Sequence, residues 1–302
     1  MIVTRSSANL EILVSGLLLV MGAAPLNAQH AISEMDLKVR NVRPSGQPAL
    51  PVFEGWYAHA DGTYDLCFGY FNLNRNQALE IPLGPNNFIE PSRFDGAQPT
   101  HFLDDAARLT CIFTVNVPAD IGSERVWWNL RIDGQTYRVP GHITSRNYMV
   151  DNLAASFPAL IEEEQVATFG NLRRQSEPGV APVLRFIDPA GPEGRGKRGV
   201  TAGPATARVG VPTALTISIA GPDGLELPNE GTVRWGKYQG PPGEVRFSAE
   251  TGRYSGDAGT TQSTEVTFAE PGDYVVFVQV LQGSFGNQCC WTNGYARVSV
   301  TP

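Results

Sequence analysis

From Phe268 to Val300 the chain reads FAEPGDYVVFVQVLQGSFGNQCCWTNGYARVSV. Pro271-Gly272-Asp273 is a turn, and Tyr274 to Leu281 is an apolar strand. Tyr295 to Val300 is a second strand, in which Ala296, Val298 and Val300 alternate with Arg297 and Ser299. Side chains two apart share one face of a strand, so this pair predicts a layered β structure. Gln282 to Gly294 is then a loop at the end of the layers, where binding residues concentrate. It holds Cys289, Cys290, Trp291 and Asn293.

The same spacing recurs upstream. Candidate strands are Phe53–His59, Tyr64–Asn72, Leu79–Leu83, Arg108–Val117, Arg125–Ile132 and Thr136–Val139, separated by turn signals such as Asp61-Gly62 and Asp133-Gly134. Leu109, Cys111, Phe113, Val115 and Val117 share a side, as do Val126, Trp128, Leu130 and Ile132. Burying each large side chain contributes roughly 1.5–3 kcal/mol, so the stripes fix which face points inward. A second set begins at Val183–Ile187. Thr213–Ile219 is its cleanest strand, with Leu215, Ile217 and Ile219 inward. The expected fold is all-β: two immunoglobulin-like β-sandwich domains, 52–143 and 183–302, joined by a connector, 144–182. An extended arm, 29–51, precedes them. Gly191 to Gly203, with Arg195, Lys197 and Arg198, reads as a mobile, solvated basic loop.

Residues 1–28 have the order of a secretory signal: Arg5, an apolar run from Ile12 to Ala24, then Pro25-Leu26-Asn27 and a small residue, Ala28, at the expected cut. The run is shorter than the roughly 20 residues that cross a bilayer, so no membrane span is expected after cleavage; an uncleaved tether is the other reading. A net charge of −7 argues against nucleic acid as partner. Gly 32, Pro 23 and only 18% charged residues fit turn-rich β domains.

Four cysteines in an exported chain point to disulfides. Cys67 and Cys111 are natural partners in the first domain, a closure contributing roughly 4 kcal/mol. Their strand parities disagree, because Cys111 lies on the apolar face and Cys67 shares a side with Asp65 and Phe71; a bulge at Gly69 would reconcile them. Cys289-Cys290 has four readings: a structural staple of the loop, a rigid tip presenting Trp291 to a ligand, a two-thiolate site for a soft ion such as Cu(I), or cross-pairing with another cysteine.

Gly231 to Trp235 (GTVRW), Gln239 to Val245 (QGPPGEV), Thr264 to Phe268 (TEVTF) and Pro271 to Tyr274 (PGDY) resemble the PKD-like/Ig-like repeats of bacterial extracellular proteins. The resemblance covers residues 205 to 302 and implies a sandwich with a core tryptophan, Trp235, and a tyrosine corner, Tyr274. It implies no activity. Glu54 to Tyr57 (EGWY), Gly69 to Asn72 (GYFN), Gly84 to Asn87 (GPNN) and Gln98 to Phe102 (QPTHF) resemble exported bacterial proteins without a defined activity.

There is no GxSxG elbow and no Gly-rich phosphate loop. His30, His59, His101 and His142 form no metal-binding pair. Asn72, Asn74 and Asn76 alternate as a weak calcium signal, so no cofactor is expected, with calcium and copper as minor alternatives. Trp127, between Arg125 and Arg131, points away from the core stripe, and Trp56 and Trp291 lie near strand ends. Such rings either stack on a sugar or a partner protein, or are covered by the connector or the other domain. The expectation is a non-enzymatic binding or structural module of the bacterial envelope, periplasmic or extracellular. Its ligand would be a carbohydrate or a protein, held by Trp291, Cys289, Cys290, Asn293, Trp127 and Trp56. Its alternatives are a hydrolase with an interdomain site, a periplasmic redox or copper-handling protein, and a subunit of a larger envelope assembly.

Overall fold

Alternation of apolar and polar residues yields strands throughout. The computed structural model describes residues 43–104, 108–145, 181–224, 226–227, 230–257, 259–282 and 291–302. The expected signal segment, Cys289, Cys290 and nearly all of the connector lie outside the described residues. The first sandwich comprises β1 (Ala49–Ala58), β2 (Tyr64–Asn72), β3 (Leu79–Glu80), β4 (Asn87–Glu90), β5 (His101–Phe102), β6 (Arg108–Val117), β7 (Val126–Ile132) and β8 (Gln135–Gly141). Sheet β1-β2-β6 lies over sheet β4-β7-β8, with β3-β5 as a small third sheet. Phe68, Phe113, Trp128 and Phe102 fill the space between with contacting rings. Pro51 pairs with Tyr70 inside β1, so the last residues of the expected arm belong to the sheet.

The second sandwich comprises β9 (Val183–Asp188), β10 (Glu193–Arg195), β11 (Val200–Arg208), β12 (Thr213–Ala220), β13 (Gly231–Gln239), β14 (Val245–Phe247), β15 (Thr251–Tyr254), β16 (Thr260–Phe268), β17 (Gly272–Gln282) and β18 (Trp291–Thr301). Sheet β10-β9-β12-β16-β14 faces sheet β11-β18-β17-β13-β15, and β11 runs parallel to β18. This is the ABED over GFC arrangement of immunoglobulin-like domains, with a split first strand closing both sheets. Leu215, Ile217 and Ile219 are fully buried, and Trp235 packs in the same core. The Tyr274 hydroxyl donates to the Glu270 carbonyl at 2.9 Å, the closed tyrosine corner.

Two findings correct the expected faces. Phe68 pairs with Phe113 and Tyr70 with Leu109, so the extra residues, Thr110 to Ile112, sit on β6 opposite Gly69, not at Gly69 itself. Cys111 takes a φ of +46° there and leaves the core stripe for the other side of the sheet, where it is disulfide-bonded to Cys67. Gly69 is needed at this crowded point, because a Cβ would lie 2.3 Å from the Leu109 carbonyl oxygen. The expected mobile basic loop is ordered as β10 and the start of β11, with Lys197 buried.

Val42–Pro302 is one compact unit, and the reason lies in β17. Tyr274, Val276, Val278 and Val280 face the core of the second sandwich. Phe277, Val275, Tyr238 of β13 and Tyr295 of β18 face the other way and join the core of the first. Gln279 interrupts this apolar run but is itself buried, so β17 keeps little solvent face, as expected of a strand covered on both sides.

Candidate functional site

The junction between the sandwiches gathers four of the residues that the sequence marks: Trp291, Asn293, Cys67 and Cys111. Trp291 opens β18 and is 4% exposed, a strand residue and not a loop tip. Its ring packs with Tyr57, Leu281 and the Cys67–Cys111 bridge. The Lys197 ammonium lies 4.6 Å from the Tyr57 ring centroid and 4.7 Å from that of Trp291, an arrangement of cation over aromatic faces. Asn293 is buried beside them. Its Nδ2 donates at 2.8 Å to both the Cys111 and Lys197 carbonyls, and its Oδ1 accepts from Gln279. Asn293 is thereby occupied in joining the sandwiches. Trp56 is buried too, edge-on to Tyr64, and donates to the Ser145 carbonyl at 3.0 Å.

Next to this cluster, Arg198 makes two 2.8 Å bonds to Asp65, a residue that is 2% exposed. His59 Nε2 lies 2.8 Å from the same carboxylate, and Asn116 donates to it at 3.0 Å. Burial pushes the Asp65 carboxyl up, but the hydrogen bonds from Arg198, Asn116 and His59 outweigh it and hold the group below the usual range. Farther along, the Lys237 ammonium is buried and donates to Glu80 at 2.6 Å and to the Pro241 and Gly243 carbonyls, which satisfies its three donors. Glu80 also meets His101 Nδ1 at 2.9 Å. These contacts are not legible in the local pattern, since the side-chain partners of Lys197, Arg198 and Lys237 (Tyr57, Trp291, Asp65 and Glu80) lie in distant segments.

A groove of about 400 Å³ opens between the sandwiches, with Phe113, Asn116, Arg198, Tyr238, Tyr295 and Arg297 among its walls. Among the described residues, none of its walls is a carboxylate, imidazole or thiol. Burial pushes the Tyr238 and Tyr295 phenols well up, so both stay neutral.

Trp127 has a different setting. Half-buried on β7, its ring centroid lies 3.8 Å from the Arg138 guanidinium carbon. It borders a concavity of about 660 Å³ with Phe88, Glu90, Ser92, Asp95 and Glu124. The end of β4, the turn after it and the turn before β7 supply these side chains, so the concavity is at an end of the first sandwich.

No family model matches the chain, and no curated protein matches it. Among solved structures, the chain is similar to the D00-D0 domain of intimin at 12% identity, over 84% of this chain and all (100%) of that one, with a TM-score of 0.27. It is similar to the Yersinia pseudotuberculosis adhesin InvE at 9% identity, over 83% of this chain and 58% of that one, TM-score 0.26. It is similar to PapD-like domain 7 of human CEP192 at 10% identity, over 42% and 89%, TM-score 0.28. Likeness at this level assigns no ligand and no activity.

Two of the three asparagine oxygens considered for calcium accept hydrogen bonds. Asn72 Oδ1 accepts from the Asn74 main chain and amide, and Asn74 Oδ1 accepts from the Gln47 N–H. Among the described residues no group of three or more His, Cys, Asp or Glu side chains could hold a metal ion.

Proposed function

We propose that this chain is an exported protein of the bacterial envelope that acts as a rigid, non-enzymatic binding module, its second sandwich of the PKD-like kind, and that it holds a carbohydrate at the Trp127 concavity. The observation that carries this reading is the half-exposed indole, braced by Arg138 and ringed by Glu90, Ser92, Asp95 and Glu124. A pyranose presents a C–H face that packs on an aromatic ring and hydroxyls that donate to carboxylates, which is the mix of apolar wall and placed polar groups that small-molecule sites use. Export is supported by the Cys67–Cys111 bridge, since disulfides persist in oxidising compartments. Among the described residues no helix is long and apolar enough to cross a membrane.

The test is a glycan-binding screen of the purified chain beside Trp127→Ala and Trp127→Tyr. The wild type should retain a defined set of glycans, the alanine variant should lose them, and the tyrosine variant should keep part of the binding. Retention of no glycan, or equal retention by Trp127→Ala, overturns the reading.

A further inference from the structure

The order β1-β2-β6 leaves β6 at the edge of its sheet. An unpaired edge is a template for another strand, and folded proteins generally cover it. Here only part is covered. The Thr110, Cys111 and Ile112 carbonyls accept from Gln279, Asn293 and Tyr295 of the second sandwich. Beyond Ile112 the edge runs into the interdomain groove, whose wall includes Phe113, Thr114 and Asn116.

An extended strand turns the N–H and C=O of a residue to one side and those of the next residue to the other. The Ile112 carbonyl is turned away from β2, toward Tyr295. The main-chain groups of Thr114 and Asn116 therefore face the groove, while those of Phe113 and Val115 pair with Phe68 and Leu66 of β2. Among the described residues outside β2, none bonds to the Thr114 or Asn116 main chain.

The charge of the groove runs against that of the molecule. The whole chain carries −7, yet among the described residues the groove is bordered by Arg198 and Arg297 and by no carboxylate. Arg297 is exposed on β18. Arg198 is pinned to Asp65 but leaves about half its side chain, 49%, to solvent.

We propose that the groove receives an extended peptide of a partner protein, added as a strand to β6 through the Thr114 and Asn116 main chain, with acidic side chains that meet Arg297 and the exposed part of Arg198. Main-chain bonding gives such an interaction its affinity and the flanking side chains select the sequence. Opposite charge sets which partners are accepted. Tyr295 and Val275 form an apolar floor for the residues between the acids.

The experiment is fluorescence anisotropy on the full chain with a labelled, end-capped pentapeptide of alternating valine and glutamate. Saturable binding is expected, weakened at least about tenfold when lysine replaces glutamate. N-methylation of the peptide main chain should abolish it, because that removes the donors without altering charge. Arg297→Glu, on an exposed position, should weaken the glutamate peptide and admit the lysine peptide. No saturable binding, equal binding of the lysine or N-methylated peptide, or an unchanged profile in Arg297→Glu would each overturn the proposal.

Discussion

Asn293 of the last strand donates its side-chain amide to the main-chain carbonyl of Cys111, 182 residues earlier, at 2.8 Å. One asparagine thereby caps the edge of the first sandwich at the point where its disulfide turns the chain. The same amide also holds the Lys197 carbonyl, so disulfide, basic segment and final strand form one joint.

Trp291 is part of that joint, and its replacement is a stability experiment. Trp291→Ala should cost about 3–5 kcal/mol, as large-to-small changes of buried aromatics do. Chemical denaturation of the variant measures it; a loss under about 1 kcal/mol would show that the ring is not packed as described.

The Asp65 network predicts an acid dependence. The folded carboxyl lies below its ordinary value, so its contribution is complete above the unfolded value of about 3.9 and is lost as pH falls through the lower, folded value. Asp65→Asn should lower stability at neutral pH by about 1.5–3 kcal/mol, the worth of hydrogen bonds to a charged group, and should flatten the stability profile below pH ~4. Thermal unfolding from pH 2 to pH 7 on both proteins checks the sign, and parallel profiles would refute it.

Lys237→Met removes the cation between the sandwiches and leaves the Pro241 and Gly243 carbonyls and part of Glu80 unpaired. Breaking a buried ion pair from one side costs about 3–5 kcal/mol. Adding Glu80→Gln should recover part of that loss, measured as a double-mutant cycle. Full additivity would mean that the two groups do not interact.

Replacing Cys67 and Cys111 by serine opens a link of sequence separation 44 and should cost about 4 kcal/mol in the chain-entropy model. Because Cys111 also shapes the irregular segment of β6, peptide binding in the groove should fall in the same variant. Denaturation with and without reductant on the wild type provides the matching measurement.

The sandwich pattern was legible where one face of a strand meets a core and the other meets water. The inward faces of Leu215, Ile217 and Ile219 follow from the alternation for that reason, and the corner role of Tyr274 follows from its place after Pro-Gly-Asp. β17 carried more information than alternation alone draws out: an apolar run from Tyr274 to Leu281 broken by Gln279 alone means two buried faces, and the second face belongs to the other sandwich. Trp291 and Asn293 were placed on a loop because Gln282 to Gly294 is rich in polar and small residues, although those two are strand residues pointing into the joint. Lys197 and Arg198 read as solvated because a basic residue is buried only when a partner is supplied. Their partners, Tyr57, Trp291 and Asp65, come from distant segments that local pattern cannot connect. Cys111 had the wrong parity for the same kind of reason, since an irregular strand resets the alternation on which any face assignment depends.

The placement of Phe277 and Tyr238 in the first core has an evolutionary corollary. A bead on a string can be copied, shuffled or deleted without regard to its neighbours. This pair cannot, because a duplicate of residues 183–302 on its own would display a greasy plate of Phe277, Tyr238, Val275 and Tyr295 with nothing to lie against. A cut through the connector should therefore give pieces that clump.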